Sequence, residues 1–120
     1  MSQCKNIPPE NFSALTRLDH NRLVFQIARK AGVHPKQVQG ACIWGNHSPT
    51  MYPDIRFCEI DGKPILDVID DHDWLYGELI TKVQQRGREI IDRRQQSSSA
   101  SAASATADHV RDWFQPGSNG

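Results

Sequence analysis

A short apolar run, Ala41-Cys42-Ile43-Trp44, stops abruptly at Gly45-Asn46. Apolar residues halted by a turn-forming pair read as a buried strand that runs out into a loop. A fold built on this chain therefore has to bury the run and display the next two residues, His47-Ser48. Loops leaving a rigid scaffold often carry reactive side chains, and imidazole is the side chain best matched to moving protons near neutral pH. The bland alternative is a structural or merely exposed histidine. On this stretch alone His47 is a candidate acid/base and no more.

The second strong pattern lies upstream. From about Ser13 to Ala31, Leu23, Ile27 and Ala31 form one helical stripe, while Leu15, Leu18, Arg22 and Phe25 or Gln26 fall on another side. Asn11 or Ser13 can cap the start, and Gly32-Val33 with Pro35 closes the end. A helix with two apolar sides packs on its own core and on something else, and a partner subunit is one candidate. Asp19 and Arg22 stand three residues apart on this helix and share a face. Exposed, such a pair contributes only about 0.2–0.5 kcal/mol. In a cleft it has other uses. A guanidinium offers a planar fork for a substrate carboxylate, and a carboxylate beside an imidazole accepts from Nδ1–H and leaves Nε2 free.

The rest of the chain supplies a frame. Residues 1–12 are polar, carry Pro8-Pro9, and read as an extended lead-in. His34-Pro35-Lys36-Gln37 reads as a brief helical turn before a strand over Val38–Trp44, and Ser48 to Pro53 as a loop, because two prolines exclude a central strand. Further strands are expected over Ile55–Ile60 and Lys63–Val68, joined at Asp61-Gly62, a strong hairpin signal. Asp70-Asp71-His72-Asp73 has the look of a metal box, but acidic residues also favour a helix start, and a stripe through Trp74, Leu75, Leu79, Val83 and Ile90 continues on a helix from about His72 to Gln96. Gly87 interrupts it within Arg86-Gly87-Arg88, marking a kink or a close backbone approach, with the arginines as a solvated face. The Ser/Ala run from Ser97 fits a flexible linker by composition; a helix start is preferred, since Ala103, Ala107, Val110 and Phe114 continue at helical spacing. Residues 115–120 read as a disordered tail. The fold class is therefore α/β of the α+β kind, with helices packed on a small, largely antiparallel sheet.

Composition excludes several classes. With 14 basic and 14 acidic residues interspersed, the chain shows no nucleic-acid or membrane footprint. No apolar run is long enough to span a bilayer. Three cysteines without CxxC spacing suit a reducing compartment, so a cytoplasmic location is expected.

The segment from Asn11 through Leu18-Asp19-His20-Asn21-Arg22, together with Ile43-Trp44-Gly45-Asn46-His47-Ser48, resembles the catalytic half of NAD-dependent malate dehydrogenases of the cytosolic type. The likeness continues through Trp74-Leu75-Tyr76-Gly77-Glu78, Val83-Gln84-Gln85-Arg86-Gly87 and Asp108-His109-Val110-Arg111-Asp112. It implies a C-terminal substrate domain over residues 13–114 that interconverts malate and oxaloacetate with NAD. Asp19 would orient His47, His47 would accept the proton, and Arg22 would clamp a substrate carboxylate. Ser98 would be the substrate-pocket serine, with Ser97 as its alternative, and Asn46 and Ser48 would shape the loop. A homodimer, or pairing with a full-length subunit through the helix near Asp19, is implied as well. No metal is expected.

The chain departs from that family pattern in three respects. It has no Gly-x-Gly-x-x-Gly and no βαβαβ half before Asp19, so the nucleotide-binding Rossmann domain is missing and no NAD-binding residues can be named. Also missing is the mobile loop whose arginines hold the second carboxylate in the family. Pro49 replaces an expected Ser or Thr. A fragment, a truncated isoform and a degraded gene product all fit, and a non-catalytic pairing module is the functional alternative.

Overall fold

The first long helix, α1 (Arg17–Ala31), forms because Leu23, Ile27 and Ala28 recur on one side and are almost wholly buried there. In this computed structural model, which describes residues 4–115, α1 is the central element. It packs against two later helices and the short strands. It starts four residues later than the sequence pattern suggests. Thr16 is its N-cap, without a side-chain cap bond, and the Ser13 hydroxyl meets His109 Nε2 at 3.3 Å instead of capping. Gly32 ends it in the left-handed region at φ 71°, where the Gly32 and Val33 amides both return to the Ala28 carbonyl.

Pro35–Gln37 form the expected helical turn. The expected strand Val38–Trp44 is cut in two at Gly40. This residue has φ +71°, and a Cβ there would lie 2.1 Å from the Phe57 carbonyl oxygen, so the backbone both turns and touches its neighbour. On one side, β1 (Val38–Gln39) pairs antiparallel with β4 (Glu59–Ile60), Val38 facing Ile60, and β4 pairs with β5 (Lys63–Pro64) across the Asp61-Gly62 turn. On the other, β2 (Cys42–Trp44) pairs antiparallel with β3 (Tyr52–Asp54), Ile43 facing Pro53. The Pro53 segment, expected as loop, is a strand. A two-stranded sheet has only edges, and an edge tolerates proline.

The expected strand Ile55–Ile60 shrinks to Glu59–Ile60. Asp54 Oδ1 accepts the Arg56 amide at 3.0 Å, and the Cys58 amide bonds the Ile55 carbonyl at 2.9 Å, so this stretch turns. The strand expected over Lys63–Val68 ends at Pro64, and Ile65–Val68 form the single-turn helix α2.

At Asp70–Asp73 the helix start is what forms. Asp71 Oδ1 accepts the Trp74 amide at 3.0 Å and its Oδ2 receives Lys30 Nζ at 2.6 Å. Among the described residues no group of three His, Cys, Asp or Glu could hold a metal ion. The helix passes through one π-helical turn, Trp74–Glu78, into α3 (Leu79–Arg94), and buries Leu75, Leu79 and Val83. Gly87 produces no break in α3. The Ser/Ala run begins α4 (Ser99–Phe114), as preferred, but the expected stripe is on the wrong side. Ala105 is buried, whereas Val110 is 45% and Phe114 80% exposed. Small residues let α4 lie close on α1, and its larger apolar side chains turn away.

Of the expected lead-in, Pro9–Asn11 form a 3-10 turn rather than extended chain, and residues 1–3 lie outside the described residues. Residues 116–120 of the expected tail do so too. The core gathers side chains from α1, the strands, α2 and α3. No helix of the described residues is long and apolar enough to cross a membrane.

Candidate active site

Two residues of α1 stand at the head of a cleft, Arg22 lining it and Asp19 buried behind it. Asp19 is fully buried, and Arg22, one turn on, brings Nη1 to 3.4 Å from Asp19 Oδ1, a long and weak contact. The stronger partner comes from another element. The loop after β2 carries His47 across so that its Nδ1 lies 2.6 Å from Asp19 Oδ2. A carboxylate only accepts, so the neutral imidazole donates from Nδ1–H and keeps Nε2 as a bare acceptor. The His47 side chain is 63% exposed against 1% for Asp19. One edge of the ring is thus anchored in the protein, and the other is open to a ligand.

Arg22 is held from a third direction. Its Nη2 donates to Ser98 Oγ at 3.0 Å, and Ser98 is the N-cap residue of α4. Burial lowers its proton affinity while the Asp19 carboxylate raises it; the guanidinium nonetheless stays charged, so a cation sits beside a buried anion. The helix α3 lies beside it at Gly87, where a Cβ would stand 3.5 Å from Arg22 Nη1, an ordinary van der Waals contact. Neither expectation for Gly87 is realised: the helix runs through it unbroken, and a side chain would have room there.

These elements enclose a cleft of about 440 Å³. Arg22, His47, Gln84, Arg88 and the serines Ser48, Ser97, Ser98 and Ser99 supply its polar lining, and among the described residues no carboxylate lines it. Chemically this is a pocket for an anion, with a proton acceptor on one wall and serine hydroxyls beside the cation.

Residues 16–119 match the family model for the lactate/malate dehydrogenase α/β C-terminal domain. The chain belongs to that family. As a member of the lactate/malate dehydrogenase family it also resembles solved structures. The malate dehydrogenase of Naegleria fowleri is 48% identical, with a TM-score of 0.86 over 93% of this chain and 34% of that one. The lactate dehydrogenase of Trichomonas vaginalis, solved with NADH and oxamate, is 36% identical, with a TM-score of 0.88 over 94% of this chain and 35% of that one. The malate dehydrogenase of Salinibacter ruber is 26% identical, with a TM-score of 0.80 over 92% of this chain and 35% of that one. The chain spans about a third of the length of these structures.

Asp19, Arg22, His47 and Ser98 come from three parts of this dehydrogenase-family chain and meet in one place. Ser97, Ser48 and Pro49 also line the cleft, while Asn46 does not. The Ser48 hydroxyl is bonded to Thr50, through Oγ1 at 2.7 Å and the amide at 3.2 Å, which ties the loop beyond His47 into a turn. Gln84 and Arg88 are lining residues to which the sequence reading gives no site role. Gln84 donates to the Met51 carbonyl at 2.7 Å and pins α3 to the end of that loop. Arg88 lies on the solvated face expected of it, 80% exposed and bonded to Asp92, and also lines the rim of the cleft. Its signal is periodic: Gln84, Gly87, Arg88 and Ile91 obey the i, i+3, i+4, i+7 rule of one helix face, and all four line the cleft.

Proposed function

We propose that this chain is the substrate half, residues 13–114, of an NAD-dependent malate dehydrogenase of the cytosolic type. The observation that carries this reading is the 2.6 Å contact of His47 Nδ1 with a buried Asp19 that Arg22 also touches. In the malate direction Nε2 of His47 takes the hydroxyl proton, and the buried carboxylate stabilises the imidazolium that results. In the other direction the imidazolium returns that proton to the ketone oxygen of oxaloacetate. Arg22 holds the carboxylate next to the reacting carbon through its planar fork, and Ser98 fixes the guanidinium and lines the pocket beside it.

NAD would supply the hydride acceptor. This chain's residues do not fit it unaided: no glycine-rich fingerprint occurs in the sequence, and the sheets described are antiparallel. The nucleotide would be held by a second domain, in the same polypeptide or another. Malate is favoured over lactate by the higher identity to the Naegleria fowleri enzyme and by the Trp44-Gly45-Asn46-His47-Ser48 context. Balanced charge and three free cysteines support a cytoplasmic setting.

A second reading has its own observation. On α1, Phe25 is 50% exposed beside a cavity of about 460 Å³ that Leu18, Arg86 and Ala100 also line. That surface suits pairing with a second copy or with a full-length subunit, and a pairing module needs no chemistry. The test is malate oxidation by the purified chain, alone and mixed with a full-length malate dehydrogenase, and then the same assay on a complete enzyme carrying this half. Turnover in the complete enzyme that His47→Gln abolishes supports the catalytic reading. Turnover indifferent to His47 removes it, and association without any such turnover leaves the pairing reading.

A further inference from the structure

His47 rides on a loop whose own base is slight. The flanking strands β2 and β3 are three residues each and pair only with one another, from Cys42 opposite Asp54 to Trp44 opposite Tyr52. A two-stranded hairpin is marginally stable by itself in water. Among the described residues the one hydrogen bond of the imidazole is its contact with Asp19. A ring held at a single atom needs its backbone held as well, or the loop carries it away from the carboxylate.

That second hold comes from α3. Met51, the last residue before β3, buries its side chain at 2% exposure, and its carbonyl accepts Gln84 Nε2 at 2.7 Å. A carbonyl accepts only from the NH2 end of a glutamine, so the orientation of the amide is fixed. The Met51 amide donates in turn to the Ser48 carbonyl at 3.1 Å, and Ser48 follows His47 directly. The bonds from the Ser48 hydroxyl to Thr50 close the turn but tie it to nothing outside the loop. Gln84 itself stands on firm ground, because its neighbour Val83 is wholly buried in the core. A continuous path therefore runs from the core of α3 through Gln84, Met51 and Ser48 to His47.

We infer that Gln84 is a positioning residue for His47. By holding the Met51 carbonyl it keeps the loop against α3 and the Nδ1–H of the imidazole on Asp19, leaving Nε2 aimed into the cleft. The inference deepens the catalytic reading and rests on it, yet the His47–Asp19 geometry it acts on is measurable without turnover. Loss of the Gln84 donor leaves a backbone carbonyl without its partner and weakens the loop's hold by the scale of one hydrogen bond.

The experiment is ring ¹⁵N NMR of His47 in the purified, histidine-labelled chain, with thermal melts, on the wild type, Gln84→Met, Gln84→Lys and Gln85→Met. Ring ¹⁵N shifts distinguish a protonated nitrogen from a bare one, and the neutral wild-type ring should carry its proton on Nδ1. Methionine matches glutamine in length and helix propensity but donates nothing, so α3 should persist. Gln84→Met should lower the ratio of the Nδ1–H to the Nε2–H tautomer by about five- to ten-fold. Gln84→Lys restores a donor and should restore the ratio, while Gln85→Met, on an exposed position beside it, should leave the ratio unchanged. In a complete enzyme carrying this half, Gln84→Met should lower kcat by a similar factor and leave KM for L-malate nearly unchanged, because Arg22 holds the carboxylate. A wild-type His47 without the Nδ1–H tautomer overturns the catalytic geometry and this assignment with it. A wild-type ring in that tautomer that Gln84→Met leaves as it was overturns the Gln84 assignment alone, whatever the melt does. So does a loss that Gln84→Lys does not restore or that Gln85→Met reproduces, and so does a Gln84→Met chain that fails to fold, since Gln84 would then hold the fold at large and not the loop.

Discussion

Two aspartates among the described residues are buried, Asp19 at 0% and Asp54 at 3% exposure, and they are surrounded very differently. Asp54 takes its partners from nearby sequence. Arg56 donates to it from the amide, Nε and Nη2, and Trp44 Nε1 donates at 2.8 Å from the paired strand. These hydrogen bonds hold its carboxyl far below the usual carboxylate range. Its acceptor sites are filled, and what they fix is a turn. Asp19 receives one strong bond from His47, 28 residues away, and one long contact from Arg22. Both partners reach on into the cleft. A saturated buried carboxylate locks local structure; a buried carboxylate whose partners face a cavity passes its charge to them.

That contrast is broken or upheld most sharply by Asp19→Asn in a complete enzyme carrying this half. An amide cannot stabilise an imidazolium and can hold the wrong tautomer, a loss on the order of 10⁴-fold in kcat where such a carboxylate supports a histidine. The melting temperature should change little. Steady-state kinetics beside a thermal melt decide it, and unchanged turnover across the pH profile would take Asp19 out of the mechanism.

Arg22→Lys comes next in size. An i,i+3 ion pair needs no particular cation, but a carboxylate clamp needs the fork. The substitution should cost about 2–5 kcal/mol in kcat/KM for oxaloacetate, the scale of losing one partner of a buried, hydrogen-bonded charge pair. The melt should hardly move, since the lost partner is the ligand. Near-normal kinetics with a clearly lowered melt would place Arg22 with Arg56, as a structural cation.

Legibility in the sequence divides along the same line. The α1 stripe, the Asp61-Gly62 turn and the helix start at Asp71 are written in spacing and local chemistry. So is the shared face of Asp19 and Arg22. The strands are shorter than the sequence pattern because contacts set their ends: Gly40 against the Phe57 carbonyl, and the Asp54 carboxylate on the Arg56 amide. The buried side of α4 is hidden from pattern because Ala105, with half-buried Ala102, carries it, while the larger apolar residues point outward. Nothing in residue spacing brings His47 to Asp19, or Ser98 to Arg22 across 76 residues; only the resemblance to the dehydrogenases joins them beforehand.

Asp54→Asn should behave in the opposite way to Asp19→Asn. Removing the charge that Arg56 and Trp44 donate to should lower stability by about 1–3 kcal/mol, as for buried groups left without a partner, and leave L-malate affinity unchanged. It should also alter the acid limb. The folded carboxyl lies below 3.8, so beneath that pH the unfolded chain binds a proton that the folded chain refuses. Stability from this group is complete above 3.8 and lost as pH falls below it. Chemical denaturation between pH 2 and 5 should show a shallower slope for Asp54→Asn than for the wild type. Equal slopes would mean that the bonds around Asp54 do not hold its charge.

The smallest effect concerns His20, the immediate neighbour of Asp19 on α1. It too is a titratable group turned away from solvent, and its Nδ1 is buried without a hydrogen-bond partner. Burial lowers its pKa from 6.5, the reverse of what a supporting carboxylate does to an imidazole. Below pH 6.5 the unfolded chain takes up a proton that folded His20 resists, so stability declines from 6.5 downwards and levels off once the folded ring titrates. Above 6.5 the contribution is constant. His20→Phe keeps a ring of similar breadth without a proton to gain, and should flatten the stability curve between pH 5 and 6.5. His34, His47, His72 and His109 are present in both proteins, so the difference between the two curves isolates His20. Catalysis in a complete enzyme should be unaffected at pH 8. A fall in turnover at that pH with an unchanged stability curve would mean that His20, and not burial alone, contributes to the site, and burial without a cleft-facing partner would no longer separate structural from functional groups on α1.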